Sequence, residues 1–276
     1  MLDDDLSLDI FRLLTTRPAG ILSDIDGTLS RIVADPGLAV VDPEIKEVLR
    51  FLAGEIDVVG VVTGRSVHDA ARMLELDDVV YQGNHGMERL EAGRLTVAPE
   101  ALRSMAAIAA VLDAARSQLG EPAIFIENKG VTGSIHYRGV ANPIVVRDEI
   151  LAVVTPLAAA ADLNVSLGRM VIEIRPPVTL NKGTALREIV EERGLRSLIF
   201  LGDDVTDIDA MRALSELREV GTIDGLSIGV LDSESPPEIV KFADALVYDV
   251  DGVRRLLTKL AERFRDHEMT QSGSSG

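Results

Sequence analysis

At 276 residues the chain is long enough to bury a sizeable core in one large or two smaller domains. Its formal charge of -17 argues against a general binder of nucleic acid or anionic membrane, which would need a basic face, and the absence of cysteine excludes disulfides and thiolate metal sites. Hydrophobic residues make up 46% and aromatics only 3%, so the core is expected to be aliphatic and alanine-rich, which suits helices packed on a parallel sheet.

The start, Met1-Leu2-Asp3-Asp4-Asp5, is acidic where a signal peptide is basic, and no apolar run reaches the length of a membrane span. A soluble cytoplasmic protein is the expectation. Leu6 to Leu14 is a short amphipathic piece, broken by Arg17-Pro18-Ala19-Gly20. Ile21-Leu22-Ser23-Asp24 then reads as a buried strand that delivers Asp24 to the surface. Alternation turns Asp24 and Asp26 toward one locus and Ile25 away from it. Two carboxylates that close repel each other unless a cation sits between them or one stays protonated, which makes a metal site the first hypothesis. Asp26-Gly27-Thr28 is equally an ordinary turn after a strand.

Arg31 to Val41 reads as a loop turning at Asp35-Pro36-Gly37, and Asp42-Pro43 starts a helix whose Ile45, Val48, Leu49 and Leu52 share a face. Val58 to Val62 is a second strand, ending at Thr63-Gly64-Arg65-Ser66 ahead of a helix marked by Val67, Ala70, Ala71 and Leu74. The repeated order of strand, turn and helix predicts a parallel sheet whose ligands bind beyond the carboxyl ends of the strands, where Asp24 and Thr63 both lie. On its own, Thr63-Gly64-Arg65 is as readily a helix N-cap with a solvent-facing arginine. Asp78-Val79-Val80-Tyr81 predicts a third strand, followed by Gln82-Gly83-Asn84-His85-Gly86-Met87-Glu88 and a hairpin turn at Glu91-Ala92-Gly93-Arg94.

Near Pro99 the pattern changes. Glu100 to Leu119 is an alanine-rich helix leading into two alternating runs, Ala123–Glu127 and Gly133–Arg138, that read as a hairpin. Asn142 to Leu163 is a second helix, and Asn164–Leu167 with Met170–Arg175 a second hairpin around Gly168. Residues 99–177 are therefore expected to form an inserted α+β cap, residues 1–98 and 178–270 a discontinuous core, and residues 271–276 a flexible tail. The parallel-sheet rhythm returns with a helix opened by Asn181-Lys182-Gly183 and closed by Gly194. A strand over Ser197–Leu201 then runs into Gly202-Asp203-Asp204-Val205-Thr206-Asp207, ahead of a helix marked by Ile208, Met211, Leu214 and Leu217. Leu226–Val230 and Ala245–Tyr248 finish the sheet, and Val253–Phe264 is a last helix.

Four distant segments share one placement, at strand ends or helix starts: Asp24 with Asp26, Thr63, Lys182, and Asp203-Asp204 with Asp207. In this order they resemble the four motifs of the haloacid-dehalogenase-like phosphohydrolases, beginning with Asp24-Ile25-Asp26-Gly27-Thr28-Leu29. The fold this implies is of the α/β class, a doubly wound parallel-sheet (Rossmann-like) hydrolase core with the α+β cap inserted. The resemblance implies that Asp24 attacks phosphorus to give an aspartyl-phosphate, while Asp26 protonates the leaving alkoxide and later activates water. Thr63, with the turn at Gly64 and Arg65, would hold the phosphoryl oxygens, and Lys182 would neutralise both nucleophile and transferring group. Mg²⁺ is the implied cofactor, on Asp24, Asp203 and the backbone carbonyl of Asp26, with Asp204 and Asp207 as further ligands or anchors.

The resemblance extends to trehalose-6-phosphate phosphatases over nearly the whole chain, through Asn84-His85-Gly86, Asn181-Lys182-Gly183 and the charged cap strands Glu127-Asn128-Lys129, His136-Tyr137-Arg138 and Glu173-Ile174-Arg175. It implies that Asn84, His85 and Gly86 lie beside the phosphate, and that Glu127, Lys129, Arg138, Glu173 and Arg175 pair with sugar hydroxyls. Exposed strand faces also carry such residues routinely. A small sugar phosphate is the expected partner, with neither nucleic acid nor membrane, and a monomer is the default. The alternatives are a mannosylglycerate- or sucrose-phosphate phosphatase, and a non-catalytic sugar-phosphate-binding regulatory module. An intact set of Asp24, Asp26, Lys182 and Asp203 disfavours the module, because a pure binder has no use for a nucleophile.

Overall fold

Runs of valine, isoleucine and leucine with no polar break suit neither a solvated face nor a sheet edge. In the computed structural model, which describes residues 2–33, 35–120, 123–233 and 235–273, these runs form the centre of an eight-stranded sheet. The chain enters through helix α1 (Leu2–Leu14) and alternates β1 (Ala19–Ser23), α2 (Pro43–Glu55), β2 (Val58–Val62), α3 (Val67–Leu74) and β3 (Val80–Gly83). A hairpin of β4 (Glu88–Glu91) and β5 (Arg94–Val97) turns through Ala92 and Gly93, both at positive φ. Two compact units separate along the chain: Met1–Leu95 with Leu180–Gly276, and Thr96–Thr179, where the sequence suggested an insert over 99–177.

The inserted unit has its own core. Helix α4 (Pro99–Gln118), strands β6 (Phe125–Asn128) and β7 (Gly133–His136), helix α5 (Pro143–Ala160), and strands β8 (Asn164–Gly168) and β9 (Val171–Arg175) follow in order. The strands form an antiparallel sheet, β6-β7-β9-β8. Ile135, Ile172 and Ile174 of its inner face pack with Ile108 and Leu112 of α4 and with Ile150 and Val154 of α5.

In the first unit the chain resumes with α6 (Lys182–Arg193), β10 (Ser197–Gly202), α7 (Val205–Glu219), β11 (Asp224–Leu231), α8 (Ile239–Phe242), β12 (Ala245–Tyr248) and α9 (Asp249–Gly273). The sheet order is β12-β11-β10-β1-β2-β3-β4-β5, parallel from β12 to β3 and antiparallel from β3 to β4. Alternation splits the strand residues between two cores. Ile21, Val59, Val61, Ile199 and Leu201 pack with α1, α2, α3 and α9, while Leu22, Val62, Leu198 and Phe200 pack with α6 and α7. The helix starts follow the sequence cues. Asp42 Oδ1 accepts from Glu44 N at 2.8 Å ahead of Pro43, and Asn181 and Thr184 exchange side-chain and backbone bonds at 2.9 and 3.0 Å. Register matters most for function. Ser23 lies opposite Leu201 on one side and Val61 on the other, so β10, β1 and β2 end level and release their next residues at one edge.

Several boundaries differ from the sequence reading. The third strand runs Val80–Gly83, because Tyr81, Gln82 and Gly83 pair with Leu90, Arg89 and Glu88 of the hairpin and stay extended. Helix α1 starts at Leu2 rather than Leu6, and Asp4 near its start accepts from Lys259 at 3.0 Å. Helix α9 covers Asp249–Gly273, not only Val253–Phe264. Phe264 packs edge-on against Phe11 with ring centroids 4.9 Å apart, and an established helix adds one hydrogen bond for each residue it gains. Of the tail expected to be flexible, 271–273 are thus helical, and 274–276 lie outside the described residues. The 31–41 loop contains a short 3₁₀ turn, Pro36–Leu38, capped by Asp35.

Candidate active site

β1 stops at Ser23, and Asp24, 5% exposed, is tied to the neighbouring strand by its N–H to Leu201 O at 2.9 Å. The chain then turns tightly, with Leu29 N and Ser30 N both donating to Ile25 O at 2.8 Å and Gly27 at φ +86°. Glycine is required at that position for two reasons: the left-handed conformation, and space. A Cβ on Gly27 would stand 2.1 Å from Asp203 Oδ2. The next residue, Thr28, donates its hydroxyl to Asp203 Oδ1 at 3.2 Å. The turn after β1 therefore holds the carboxylate delivered by β10, a role for Gly27 and Thr28 that reading the motif by itself did not assign.

Lys182 opens α6 with its side chain buried. It bridges Asp24 Oδ1 at 2.9 Å and Asp207 Oδ1 at 2.8 Å. Asp207 sits in the first turn of α7, and its other oxygen accepts from the backbone N–H groups of Asp203 and Asp204 at 3.1 and 3.0 Å. The electrostatics follow from three buried carboxylates around one ammonium, which bridges two of them. Burial pushes the Asp24 carboxyl up to about 7, with Lys182 pulling the other way. Asp203 is raised well above the ordinary carboxylate range, by burial first and then by Asp24, Asp207 and Asp204. Asp207 is also raised by burial, against the pull of Lys182. Burial, the largest influence on Lys182, lowers its pKa, but Asp207 and Asp24 together carry it above its usual value.

The second strand end faces this cluster along the same edge. Thr63 is buried, its hydroxyl accepts from Arg65 N at 3.2 Å, and its own N–H donates to Gln82 O at 2.9 Å. The turn is buttressed from β3: Asn84 N donates to Arg65 O at 2.7 Å and His85 N to Thr63 O at 2.9 Å. To do so Asn84 and His85 adopt left-handed backbone, at φ 48° and 57°, and Gly86 follows at 95°. The His85 ring lies so near Gly64 that a Cβ there would stand 2.8 Å from it. Asn84, His85 and Gly86 thus shape the Thr63 turn. Arg65 is not the solvent-facing arginine that the local sequence allows. It is 7% exposed, and its Nε and Nη2 fork onto Asp26 Oδ2 and Oδ1 at 2.6 and 2.7 Å.

The donor set suits a hard divalent cation. Carboxylate oxygens of Asp24, Asp203 and Asp207 lie within 4.8 Å of one another, all buried, and no single lysine neutralises three of them. Asp24 and Asp203 could hold such an ion, with Asp207, which already serves Lys182 and two N–H groups, as a further ligand or as an anchor. Asp204, half-buried at the start of α7, stands outside this carboxylate group; the Asp26 side chain is engaged by Arg65, so its backbone carbonyl is the Asp26 atom that the resemblance assigns to the ion.

Within the inserted unit, pairing aligns Glu127, Ser134, Glu173 and Ser166 across one face of the sheet, opposite the isoleucines. Lys129 Nζ lies 3.7 Å from Glu173 Oε1, and His136 Nε2 lies 3.2 Å from Glu127 Oε2. Arg175 alternates onto the Glu173 side of β9. Arg138 follows β7 and donates to Arg169 O at 3.4 Å. Glu127, Lys129, Glu173 and His136 are thereby brought together.

Comparison with known proteins decides the family. A model of the trehalose-phosphatase family matches residues 22–236. The chain belongs to that family. A trehalose-phosphate phosphatase of Mycobacterium tuberculosis is 32% identical over 253 residues, covering 84% of this chain and 62% of that protein. An uncharacterised glycosyl hydrolase of the same species is 34% identical over 258 residues, 87% of this chain but 19% of that protein. The chain thus spans less than two thirds of the length of either relative. Among solved structures, a trehalose-6-phosphate phosphatase related protein superposes with a TM-score of 0.74 at 25% identity, covering 90% of this chain and 99% of that one.

Proposed function

We propose that the protein is a Mg²⁺-dependent phosphatase that hydrolyses trehalose 6-phosphate to trehalose and phosphate through an aspartyl-phosphate at Asp24. Membership of the trehalose-phosphatase family supports the substrate. The observation that carries the chemistry is Asp24 itself: a buried carboxylate at a strand end, held by Lys182 beside Asp203, along one edge with the Thr63 turn. Mg²⁺ on Asp24 and Asp203 would offset the negative charge of the phosphate dianion, which otherwise repels the nucleophile.

The remaining work falls to side chains. Lys182 orients Asp24 and adds positive charge, and the Thr63 hydroxyl and the N–H groups of its turn receive phosphoryl oxygens at a helix N-terminus. An Asp24 oxygen bonds to phosphorus as the ester P–O bond breaks, and Asp26 gives its proton to the departing sugar oxygen. Asp26, now a carboxylate, takes a proton from water, whose oxygen attacks phosphorus and breaks the bond to Asp24. Glu127, Lys129, Arg138, Glu173 and Arg175 of the inserted unit are the candidates to pair with sugar hydroxyls. Phosphate release over a panel of sugar phosphates tests the reading. Trehalose 6-phosphate should be preferred and Asp24→Asn inactive; equal rates on glucose 6-phosphate would reduce the assignment to a broad sugar phosphatase, and steady turnover by Asp24→Asn would reassign the nucleophile.

A further inference from the structure

Arg65 sits where a phosphate ligand would be expected, yet its guanidinium is already committed. Nε and Nη2 form the fork on Asp26. Nη1 donates to Pro36 O at 3.1 Å and reaches Asp69 Oδ2 at 3.4 Å. The side chain is 8% exposed, while that of Asp26 is 37% exposed, so the buried partner fixes the accessible one. Asp69 is in turn held from behind: its Oδ1 accepts from Arg72 at 2.7 Å, and its N–H caps on Ser66. Arg65 thus ties the turn after β1, the Pro36 turn and the first turn of α3 to a single planar group. A fork of two parallel bonds fixes both distance and plane of a carboxylate, which one ammonium cannot do.

We propose that Arg65 is a positioning residue for Asp26 rather than a ligand of the substrate phosphate. The inference rests on the proposed role of Asp26 as proton donor to the leaving group. Asp26 lies in the tight turn that Leu29 and Ser30 close on Ile25 O, and its side chain is more exposed than that of Asp24. Without the fork its side chain can rotate among staggered rotamers, each of which moves the reacting oxygen by more than a hydrogen-bond length. The fork takes one lone pair of each oxygen and leaves the other for the proton that is passed on.

The two roles for Arg65 separate by leaving group. p-Nitrophenolate departs without a proton donor, whereas a sugar alkoxide needs one, and kcat/KM reports the steps up to formation of the aspartyl-phosphate. For Arg65→Ala, kcat/KM on trehalose 6-phosphate should fall on the order of 10²-fold, the size expected from loss of reacting geometry, and on p-nitrophenyl phosphate by less than about 10-fold. Arg65→Lys should restore little, since charge without the fork does not fix the carboxylate. The double variant Asp26→Ala/Arg65→Ala should be no slower than Asp26→Ala alone. Asp69→Ala, which removes the rear anchor and touches no reacting group, should reproduce the substrate-selective pattern at about 3- to 10-fold, and carries the test if Arg65→Ala fails to fold by thermal melting. Equal losses on both esters expressed in KM, or additive losses in the double variant, would overturn the proposal and make Arg65 a phosphate ligand. Turnover of neither ester by the wild-type protein would overturn the functional reading along with it.

Discussion

The Asp24 cluster makes a prediction about stability that needs no substrate. In the folded chain burial raises the Asp24 carboxyl from 3.8 to about 7. Between those values the folded state holds a proton that the unfolded state has released, so stability falls as pH rises from about 4 to about 7. Below the window both states are protonated; above it both are ionised, and the loss is complete. At about 1.4 kcal/mol per pH unit, the rise corresponds to about 4 kcal/mol. Other carboxylates titrate in the same range, so the quantity to measure is the difference between the wild type and Asp24→Asn, whose amide stays neutral. In metal-free buffer the wild type should lose ground against Asp24→Asn by on the order of 10 °C in Tm between pH 4 and pH 8. Excess Mg²⁺ should close the gap at pH 8, because the ion binds the ionised, folded site, and should do little at pH 4, where protons compete for the same oxygens. A gap that stays constant across this range without metal, or that moves in the wild type's favour as pH rises, would refute the argument that burial dominates at Asp24.

Chelation by EDTA should abolish phosphate release and added Mg²⁺ restore it; full turnover in metal-free buffer would remove the cation from the scheme. Lys182→Ala leaves Asp24 and Asp207 buried without their cation, so it should cost about 3–5 kcal/mol in urea unfolding and on the order of 10²–10³ in kcat, and a variant as stable as wild type would contradict the buried bridge. Gly64→Ala forces a methyl to 2.8 Å from the His85 ring and should displace the Thr63 turn, weakening competitive inhibition by inorganic phosphate about 10-fold; an unchanged inhibition constant would show that the turn absorbs the clash or holds no phosphate. Glu127→Ala and Glu173→Ala should each lose about 1–3 kcal/mol in kcat/KM on trehalose 6-phosphate and far less on p-nitrophenyl phosphate; equal losses on the two would assign them to holding the inserted sheet together.

What the sequence conveys and what it hides divide along one line, the distance between partners. The strand ends at Asp24, Thr63 and Asp203 are legible because each is announced locally, by an apolar run that stops at a polar residue before a helical period begins. The pairing that levels those ends, Ser23 with both Leu201 and Val61, has no local signature and follows only once β1 is placed between β10 and β2. Arg65 shows the cost of local reading. Thr63-Gly64-Arg65 says helix start, and nothing nearby says that the guanidinium is consumed by Asp26, 39 residues earlier in the chain. Thr28 is the converse case, a member of the motif whose purpose comes only from its bond to Asp203.

Asp207 answers to two partners at once. The spacing Asp203-Asp204-x-x-Asp207 leaves open whether its carboxylate holds an ion or an anchor, since an acidic residue in the first turn of a helix can fold back on the preceding N–H groups whatever its neighbours are. Burial of Lys182 favours the anchor. The ammonium of a lysine side chain only 2% exposed needs more than one anionic partner to stay charged, and Asp24 alone, itself desolvated, does not suffice. Asp207 supplies the second partner and, in bonding the backbone of Asp203, sets the position of the carboxylate opposite Asp24. The same side chain therefore fixes the charge of the lysine and the spacing of the two oxygen donors. Asp207→Asn, nearly isosteric, separates the two jobs: the amide oxygen can still accept the backbone N–H groups, so the fold should hold, while the lysine loses half its countercharge. Its metal affinity, read by titration of the inactive Asp26→Asn background with Mg²⁺, should change by less than about 10-fold if Asp207 is the anchor, and collapse if it is a ligand.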